Sequence, residues 1–310
     1  MSNSFRTIFT AMLSFAVLVP ALDSCKRLPL YDMVDNVEIR FDFDLSENDP
    51  AMHKKPSMPS LMKVIFYETE THERVSEMYC NAGGGKVAGL LPGTYDMVAY
   101  SYDTEITEVS EEQNFTTIKA FTSAISLDTD SLGTVIREPD HLVAGRRQSL
   151  EIPYLTEEDA TYVIRAECAT ILDSYTLQVD SLKGLENITS VDVYLTGHSG
   201  YNHIGPLERS DEPVSLHVPC GVDLENQRLY TKFNTFGKIP GVDGMAILHI
   251  LVTGAGGRTY DFSDDITEQY LNPAHEIKLW FKGEIKPREQ SGFDPSVGDW
   301  DEENIDIGLQ

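Results

Sequence analysis

The sequence predicts an all-β protein made of antiparallel sandwiches or barrels. Apolar and polar residues alternate along many short segments, which is the period of a strand with one buried face. Helical periodicity is scarce, and only DSLKGLENI, residues 180–188, favours one short turn. The strand-like segments are too numerous for one small sandwich in a chain of 310 residues, so we expect two sandwich domains.

The clearest strand of the first half is NVEIRFDFDL, residues 36–45. Its apolar residues alternate with charged ones, so we expect one face to be buried and the other solvated. In LLPGTYDMVAYSYD, residues 90–103, a Pro-Gly turn precedes a segment that is apolar on both faces. Two further stretches predict strands of this half: MKVIFYETE (62–70) and TTIKAFTSAISL (116–127).

The second half repeats the pattern after a connecting segment, PDHLVAGRRQS, residues 139–149. We therefore place a boundary at 139–158 and expect domains over residues 25–150 and 151–310. MAILHILVTG (245–254) is apolar throughout, which predicts a strand buried on both faces with His249 in the core. The alternating strands predicted here are TYVIRAECA (161–169), SYTLQV (174–179), SVDVYLTG (190–197), PVSLHVP (213–219), RLYTKFNTF (228–236) and HEIKLWFKGEI (275–285).

The charge balance is strongly acidic, with 24 Lys and Arg against 50 Asp and Glu and a net charge of -26. Such a surface repels phosphate backbones, so we expect no nucleic-acid partner. Solubility is the simplest role of the acidic residues, and scattered calcium sites are the alternative. The mean hydropathy of -0.24 argues against a multi-span membrane protein.

The N-terminus has the features of an export signal that ends at a cysteine. Arg6 precedes an apolar run over residues 8–22, which is too short for a transmembrane helix. The run leads into Leu22-Asp23-Ser24-Cys25, which is similar to a bacterial lipobox. We therefore predict a signal peptide over residues 1–24 and a lipid on Cys25. Asp23 departs from the usual small or neutral residue, and ordinary cleavage nearby, with Cys25 as a chance thiol, is the alternative.

The other three cysteines, Cys80, Cys168 and Cys220, are an odd number if Cys25 carries lipid. Cys168 falls on the apolar phase of TYVIRAECA, so we expect a buried thiol. No Cys/His spacing indicates zinc, and we predict no metal site and no cofactor.

Catalytic motifs match only in part. GHSG (197–200) is similar to a nucleophile elbow, but Tyr201 replaces the final glycine of that motif. NAGGGKVAG (81–89) lacks the spacing of a phosphate loop and predicts a glycine-rich hairpin loop instead. DTDSLG (128–133) begins like a calcium loop but lacks the later ligands, which favours an Asx-rich turn. We predict no catalytic residues and no enzyme.

Four features occur in an order that carries a resemblance. The lipobox is followed by LLPGTYDMVAYS, by TYVIRAE with ITSVDVYLTGHSG, and by a closing DWDEENIDI. Over residues 25–310 the chain resembles the fimbrial anchor and accessory subunits of Bacteroidales. The resemblance implies two tandem transthyretin-like antiparallel β-sandwich domains on a chain that is lipid-anchored in the outer membrane. It also implies surface exposure, a role in fimbrium assembly and cell adhesion, and partners among the subunits of the same fimbrium. The place of the chain as base anchor, accessory or tip component stays open.

The same resemblance implies assembly by strand addition. In polymerising relatives, a protease removes the N-terminal strand, and a strand from a neighbouring subunit fills the groove. Ile305, Ile307 and Leu309 form a period-two apolar stripe and are our candidates for a donor strand. The alternative is that NIDIGLQ (304–310) pairs within its own domain. Arg40 stands within the first strand where a trypsin-like protease could cut, although anchors of this family are expected to escape such processing.

A glycan-binding surface lipoprotein is the alternative function. It predicts an exposed aromatic platform, and the two tryptophans of the chain are Trp280 and Trp300. Trp280 lies on the polar phase of its strand and is a candidate for exposure, while Trp300 lies in the acidic tail.

Overall fold

The computed structural model describes residues 36–46, 48–126, 132–154, 161–239 and 246–287, and it confirms the all-β fold class. The helical elements with full bounds in those ranges are short: a 3₁₀ turn at Leu185–Asn187, where a short turn is predicted, and α1 at Thr267–Tyr270. No helix in these ranges is long and apolar enough to cross a membrane. Cys25, Ile305, Ile307 and Leu309 lie outside the described residues.

A seven-stranded sheet wraps around a core of its own. Its end strands, β3 and β4, follow each other in the chain and are joined by the turn 82–84, so the two ends of the sheet come together. The turn is the predicted glycine-rich hairpin loop. In spatial order the strands are β3 (Arg74–Asn81), β2 (Leu61–Glu68), β5 (Gly93–Ser101), β10 (Val143–Ile152), β11 (Tyr162–Thr170), β1 (Val37–Asp44) and β4 (Gly85–Val87).

The wrapped core is filled by one face of each strand, since side chains alternate along a strand. It contains Val37, Val64, Met97 and Ile164, all fully buried. Cys168 is buried among them as predicted, and burial raises the pKa of its thiol to about 12. The middle strand β5 is buried on both faces over Tyr95–Ser101, also as predicted, because its outer face is covered by the second half of the chain.

Two further sheets pack face to face in the second half of the chain. Phe262 of one stacks on Phe281 of the other, with ring centroids 5.1 Å apart. The six-stranded sheet has the order β20 (Thr259–Asp265), β19 (Ile247–Gly254), β13 (Ile188–Ser199), β16 (Pro213–Pro219), β9 (Val135–Arg137) and β8 (Ala124–Ile125). The four-stranded sheet has the order β17 (Gly221–Asp223), β18 (Arg228–Thr235), β12 (Asp173–Lys183) and β21 (Glu276–Glu284).

The prediction that 139–149 is a connecting segment is wrong over 143–149, because these residues belong to β10, which pairs with β5 and β11. Strand pairing also crosses the predicted boundary at residue 150. β11 follows that boundary but pairs with β1 and β10, while β9 precedes it but pairs with β16. A smaller sheet also joins the halves, with the order β15 (Glu208–Arg209), β14 (Tyr201–His203), β7 (Lys119–Thr122) and β6 (Thr107–Ser110). One large core accordingly draws residues from both sides of the boundary. The division into domains 25–150 and 151–310 stays a prediction.

The expectation that MAILHILVTG is buried on both faces is wrong. β19 alternates, with Leu248, Ile250 and Val252 buried and His249 and Leu251 only half-buried. The physical reason is that the six-stranded sheet packs on the four-stranded sheet with one face, and the other face of β19 is only partly covered. Because the partly covered face also carries apolar residues, the sequence of β19 has the continuous apolar pattern of a strand buried on both faces.

Candidate functional site

The first described strand, β1, is an inner strand of the wrapped sheet along only part of its length. It pairs in parallel with β11 from Val37 to Asp44. On its other side it pairs with β4 only at Val37–Ile39. Among the described residues, no strand pairs with 40–44 on that second side. Within the described part of the chain, the backbone groups on this side of residues 40–44 form a short row without a strand partner, and such a row can accept an added strand.

The apolar side chains of β1 lie on one face of the strand, and their burial decreases toward its C-terminal end. Val37 and Ile39 are fully buried, whereas Phe41 and Phe43 are half-buried and pack at the border of the wrapped core with ring centroids 5.8 Å apart. The unpaired part of β1 therefore lies next to apolar surface. An added strand with alternating apolar residues satisfies the backbone and covers this surface at the same time.

Arg40 lies in the middle of β1, opposite Arg165 of β11. Its side chain is 55% exposed and lies 3.4 Å from a Glu38 carboxylate oxygen. A protease needs an extended, accessible backbone, so cleavage after Arg40 requires β1 to leave β11 first.

A buried ion pair lies on the outer face of the wrapped sheet, and no pattern in the sequence predicts it. The Lys63 ammonium donates to both Glu112 carboxylate oxygens, at 2.8 and 2.7 Å, with its side chain only 5% exposed. Tyr79 and Tyr102 flank it, with ring centroids 5.3 and 5.7 Å from Lys63 Nζ. Burial lowers the pKa of Lys63, but hydrogen bonds to Glu112 and other partners outweigh it, so the pKa is raised. Lys63 is therefore a charged buried group.

GHSG forms part of the interior. The Ser199 hydroxyl, fully buried, lies within hydrogen-bond distance of the carbonyl oxygens of Tyr201 and Ser210, at 2.9 and 3.0 Å. His198 Nδ1 lies 2.6 Å from Thr235 Oγ1 and 2.9 Å from Tyr270 Oη. Burial lowers the pKa of His198 to about 3, so its ring is neutral at physiological pH. The Ser199 hydroxyl is directed at backbone oxygens, and this arrangement stabilises the fold.

Trp280 is 57% exposed, which confirms the exposure predicted from its phase in HEIKLWFKGEI. Among the described residues, no group of three or more His, Cys, Asp and Glu side chains is placed to hold a metal ion.

Comparison with known proteins identifies the family. The family model described as a domain of unknown function, DUF5119, matches residues 24–218, which is more than half of the chain. The chain belongs to the DUF5119 family. The matched region runs from the residue before Cys25 to β16, so it includes the wrapped sheet and the strands that cross between the halves.

This DUF5119 member has relatives of known name. The "Putative fimbrium anchoring subunit Fim4B" of Bacteroides ovatus is 27% identical over 229 residues. That match covers 71% of this chain and 64% of the relative, so the chain spans just under two thirds of the relative's length. A crystal structure named "putative adhesin", also from Bacteroides ovatus, has a TM-score of 0.60 and 19% identity, covering 79% of this chain and 93% of the other. The second likeness shows a shared fold. The resemblance to Bacteroidales fimbrial subunits is confirmed.

Proposed function

We propose that this DUF5119 member is a non-enzymatic anchoring or accessory subunit of a surface fimbrium. The observation that carries the proposal is the identity of 27% with a relative named as a fimbrium anchoring subunit, over 71% of this chain. In this proposal the partners are the other subunits of the same fimbrium, and the function is fimbrium assembly and cell adhesion.

The membrane attachment in this proposal is a lipid on Cys25. LDSC, residues 22–25, supplies the cysteine after an apolar run, and the DUF5119 match begins at residue 24, immediately before it. A single short acyl chain binds membranes only marginally, so stable anchoring requires more than one chain on the same cysteine. The acidic body of the protein would then hang from the outer membrane, on the cell surface.

The joint between subunits in this proposal is an added β-strand. Residues 40–44 have no strand partner on their second side among the described strands, and together with Phe41 and Phe43 they support an acceptor at β1. Ile305, Ile307 and Leu309 supply the alternation that a donor strand needs to cover such a border on a neighbouring subunit. The acceptor and the donor are different segments of the chain, which suits a head-to-tail contact between successive subunits.

Replacing the lipid-bearing cysteine tests the anchor. We expect Cys25→Ser to move the protein from the membrane fraction to the soluble fraction without unfolding it, because in this proposal lipidation requires the Cys25 thiol. Fractionation followed by immunoblotting measures this, together with the mass of the N-terminal peptide. Cys80→Ser is the matched control and should stay in the membrane fraction. Retention of Cys25→Ser in membranes, or an unmodified Cys25 in the wild type, contradicts the proposed anchor.

A further inference from the structure

We propose that the outer face of the sheet β17–β18–β12–β21 binds a neutral oligosaccharide. This glycan face is formed by Trp280, Gln178, Asp180, Arg228 and Tyr230. None of these residues belongs to β1 or to its sheet, so the proposal is independent of the fimbrial joint. The inference goes beyond the proposed function because a subunit can assemble into a fimbrium without binding any sugar.

Trp280 is the aromatic centre of this face. In β21, Ile277, Leu279 and Phe281 are buried in the core, and Trp280 points to the other side with 57% of its surface exposed. The exposed indole leaves a large apolar area that a ligand can cover, and removing that area from water favours binding. Its flat face suits the C–H face of a pyranose ring, while sugar hydroxyls stay available for hydrogen bonds.

A row of polar side chains leads away from Trp280 across the sheet. Asp180 is directly opposite Trp280, and Gln178 is opposite Lys278 on one side and Tyr230 on the other. Gln178 Nε2 donates to Asp180 at 2.7 Å, and Arg228 Nη1 donates to Gln178 Oε1 at 3.1 Å.

The far end of this row is fixed as well. Arg228 Nε donates to Asp223 at 3.1 Å, and its guanidinium carbon lies 4.8 Å from the centroid of the Tyr230 ring. A network that is already ordered loses little conformational entropy when a ligand binds. The row therefore offers a set of donors and acceptors that is held in place before a sugar arrives.

The separation of the two aromatic residues indicates the ligand length. Tyr230 and Trp280 are two strands and two residues apart in the register. With strands ~4.8 Å apart and ~3.4 Å per residue, their Cα atoms are about 12 Å apart. A single sugar cannot reach both rings, whereas an oligosaccharide lying across the strands can.

The outward positions of this sheet carry no strong excess of charge of either sign, which favours a neutral ligand over an ionic one. Acidic and basic side chains are nearly balanced on its outward positions, although the whole chain has a net charge of -26. Each hydroxyl of a sugar both donates and accepts, so it can use a carboxylate and a cation side by side. On and around the glycan face, the charged residues of these four strands are Asp180, Asp223, Glu276 and Glu284 with Lys183, Arg228, Lys232, Lys278 and Lys282.

An oligosaccharide array tests this proposal directly. The labelled protein, as Trp300→Phe so that Trp280 is the single tryptophan, is applied to neutral plant, microbial and host oligosaccharides and to uronate-containing ones. We expect binding to a neutral oligosaccharide, and a loss of at least tenfold in Trp280→Ala and in Gln178→Ala. Tyr154→Ala is the control, since Tyr154 is 60% exposed and lies outside the face, and it should bind as the parent does.

A fluorescence titration with the ligand that binds most strongly on the array then measures binding at Trp280. We expect a saturable change in the emission of Trp280, because stacking removes its indole from water. Binding to no neutral oligosaccharide, binding only to uronate-containing ones, or equal binding by Trp280→Ala overturns the proposal. Circular dichroism of each variant excludes unfolding, which is not expected for replacements on a solvated face.

Discussion

Replacing Glu112 by alanine is expected to destabilise the protein by about 3 kcal/mol, because it leaves a buried ammonium without its main partner. Lys63 Nζ keeps only Glu77, at 3.3 Å, among its carboxylate partners after this change. Tyr100 also loses its acceptor, since its hydroxyl donates to Glu112. Burial and Glu112 both raise the pKa of Tyr100, so its hydroxyl stays protonated and needs an acceptor.

Urea unfolding of Glu112→Ala and of a matched exposed pair measures this effect. In the control pair, Lys278 Nζ lies 2.7 Å from a Glu276 oxygen, and both side chains are more than 40% exposed. Glu276→Ala should cost at most about 1 kcal/mol, because exposed ion pairs contribute little. Equal costs for the two variants would show that burial of Lys63 does not depend on Glu112.

Gly84→Ala is expected to destabilise the wrapped sheet by about 3 kcal/mol or more, through strain and loss of strand pairing. Gly84 has a φ of +95°, which L side chains rarely adopt. A Cβ there would stand 1.9 Å from the Ile39 carbonyl oxygen and 3.1 Å from Arg40 Cα. Backbone atoms cannot move aside cheaply, so β4 must shift away from β1, and their pairing at Val37–Ile39 weakens.

Gly89→Ala separates the clash from the backbone strain. Gly89 also has a positive φ, +77°, but a Cβ there would meet nothing within 4 Å. This control should cost about 1 kcal/mol, the penalty for a left-handed residue alone. Equilibrium unfolding in urea compares the two. Similar losses in both variants would mean that Gly84 does not set the approach of β4 to β1.

Much of the local structure could be predicted because side-chain period is a local property. NVEIRFDFDL predicts β1, and its phase assigns Val37 and Ile39 to the core. The Pro-Gly turn and the apolar run predict β5 as buried on both faces. The phase of Cys168 predicts its burial. In each case the faces of a strand that are buried carry apolar residues, so the apolar pattern in the sequence shows which faces are buried.

Pairing between distant strands could not be predicted from the alternation of apolar and polar side chains. β1 lies beside β11, more than a hundred residues later, in a parallel arrangement that no turn signal specifies. β9 likewise joins the six-stranded sheet from the first half of the chain. The boundary inferred near residue 150 rests on composition alone, and composition does not record which sheet a strand joins.

The candidate sites show the same limit. The phase of Trp280 predicts exposure, but its neighbours Gln178 and Arg228 come from strands whose register only the structure reveals. The Lys63–Glu112 pair joins a strand residue to a loop residue 49 positions away. Cys25, Ile305, Ile307 and Leu309 lie outside the described residues, and their roles stay predictions from the sequence.

Co-purification from source cells tests most directly whether the chain is a fimbrial subunit. The tagged full chain and a variant lacking residues 304–310 are isolated from detergent-solubilised envelopes, and the partner proteins are identified by mass spectrometry. We expect fimbrial subunits to co-purify with the full chain and to be lost with the deletion, because Ile305, Ile307 and Leu309 supply the proposed joint. Retention of the partners by the deletion variant would contradict the C-terminal joint. The absence of fimbrial subunits from the full-length sample would contradict the central claim.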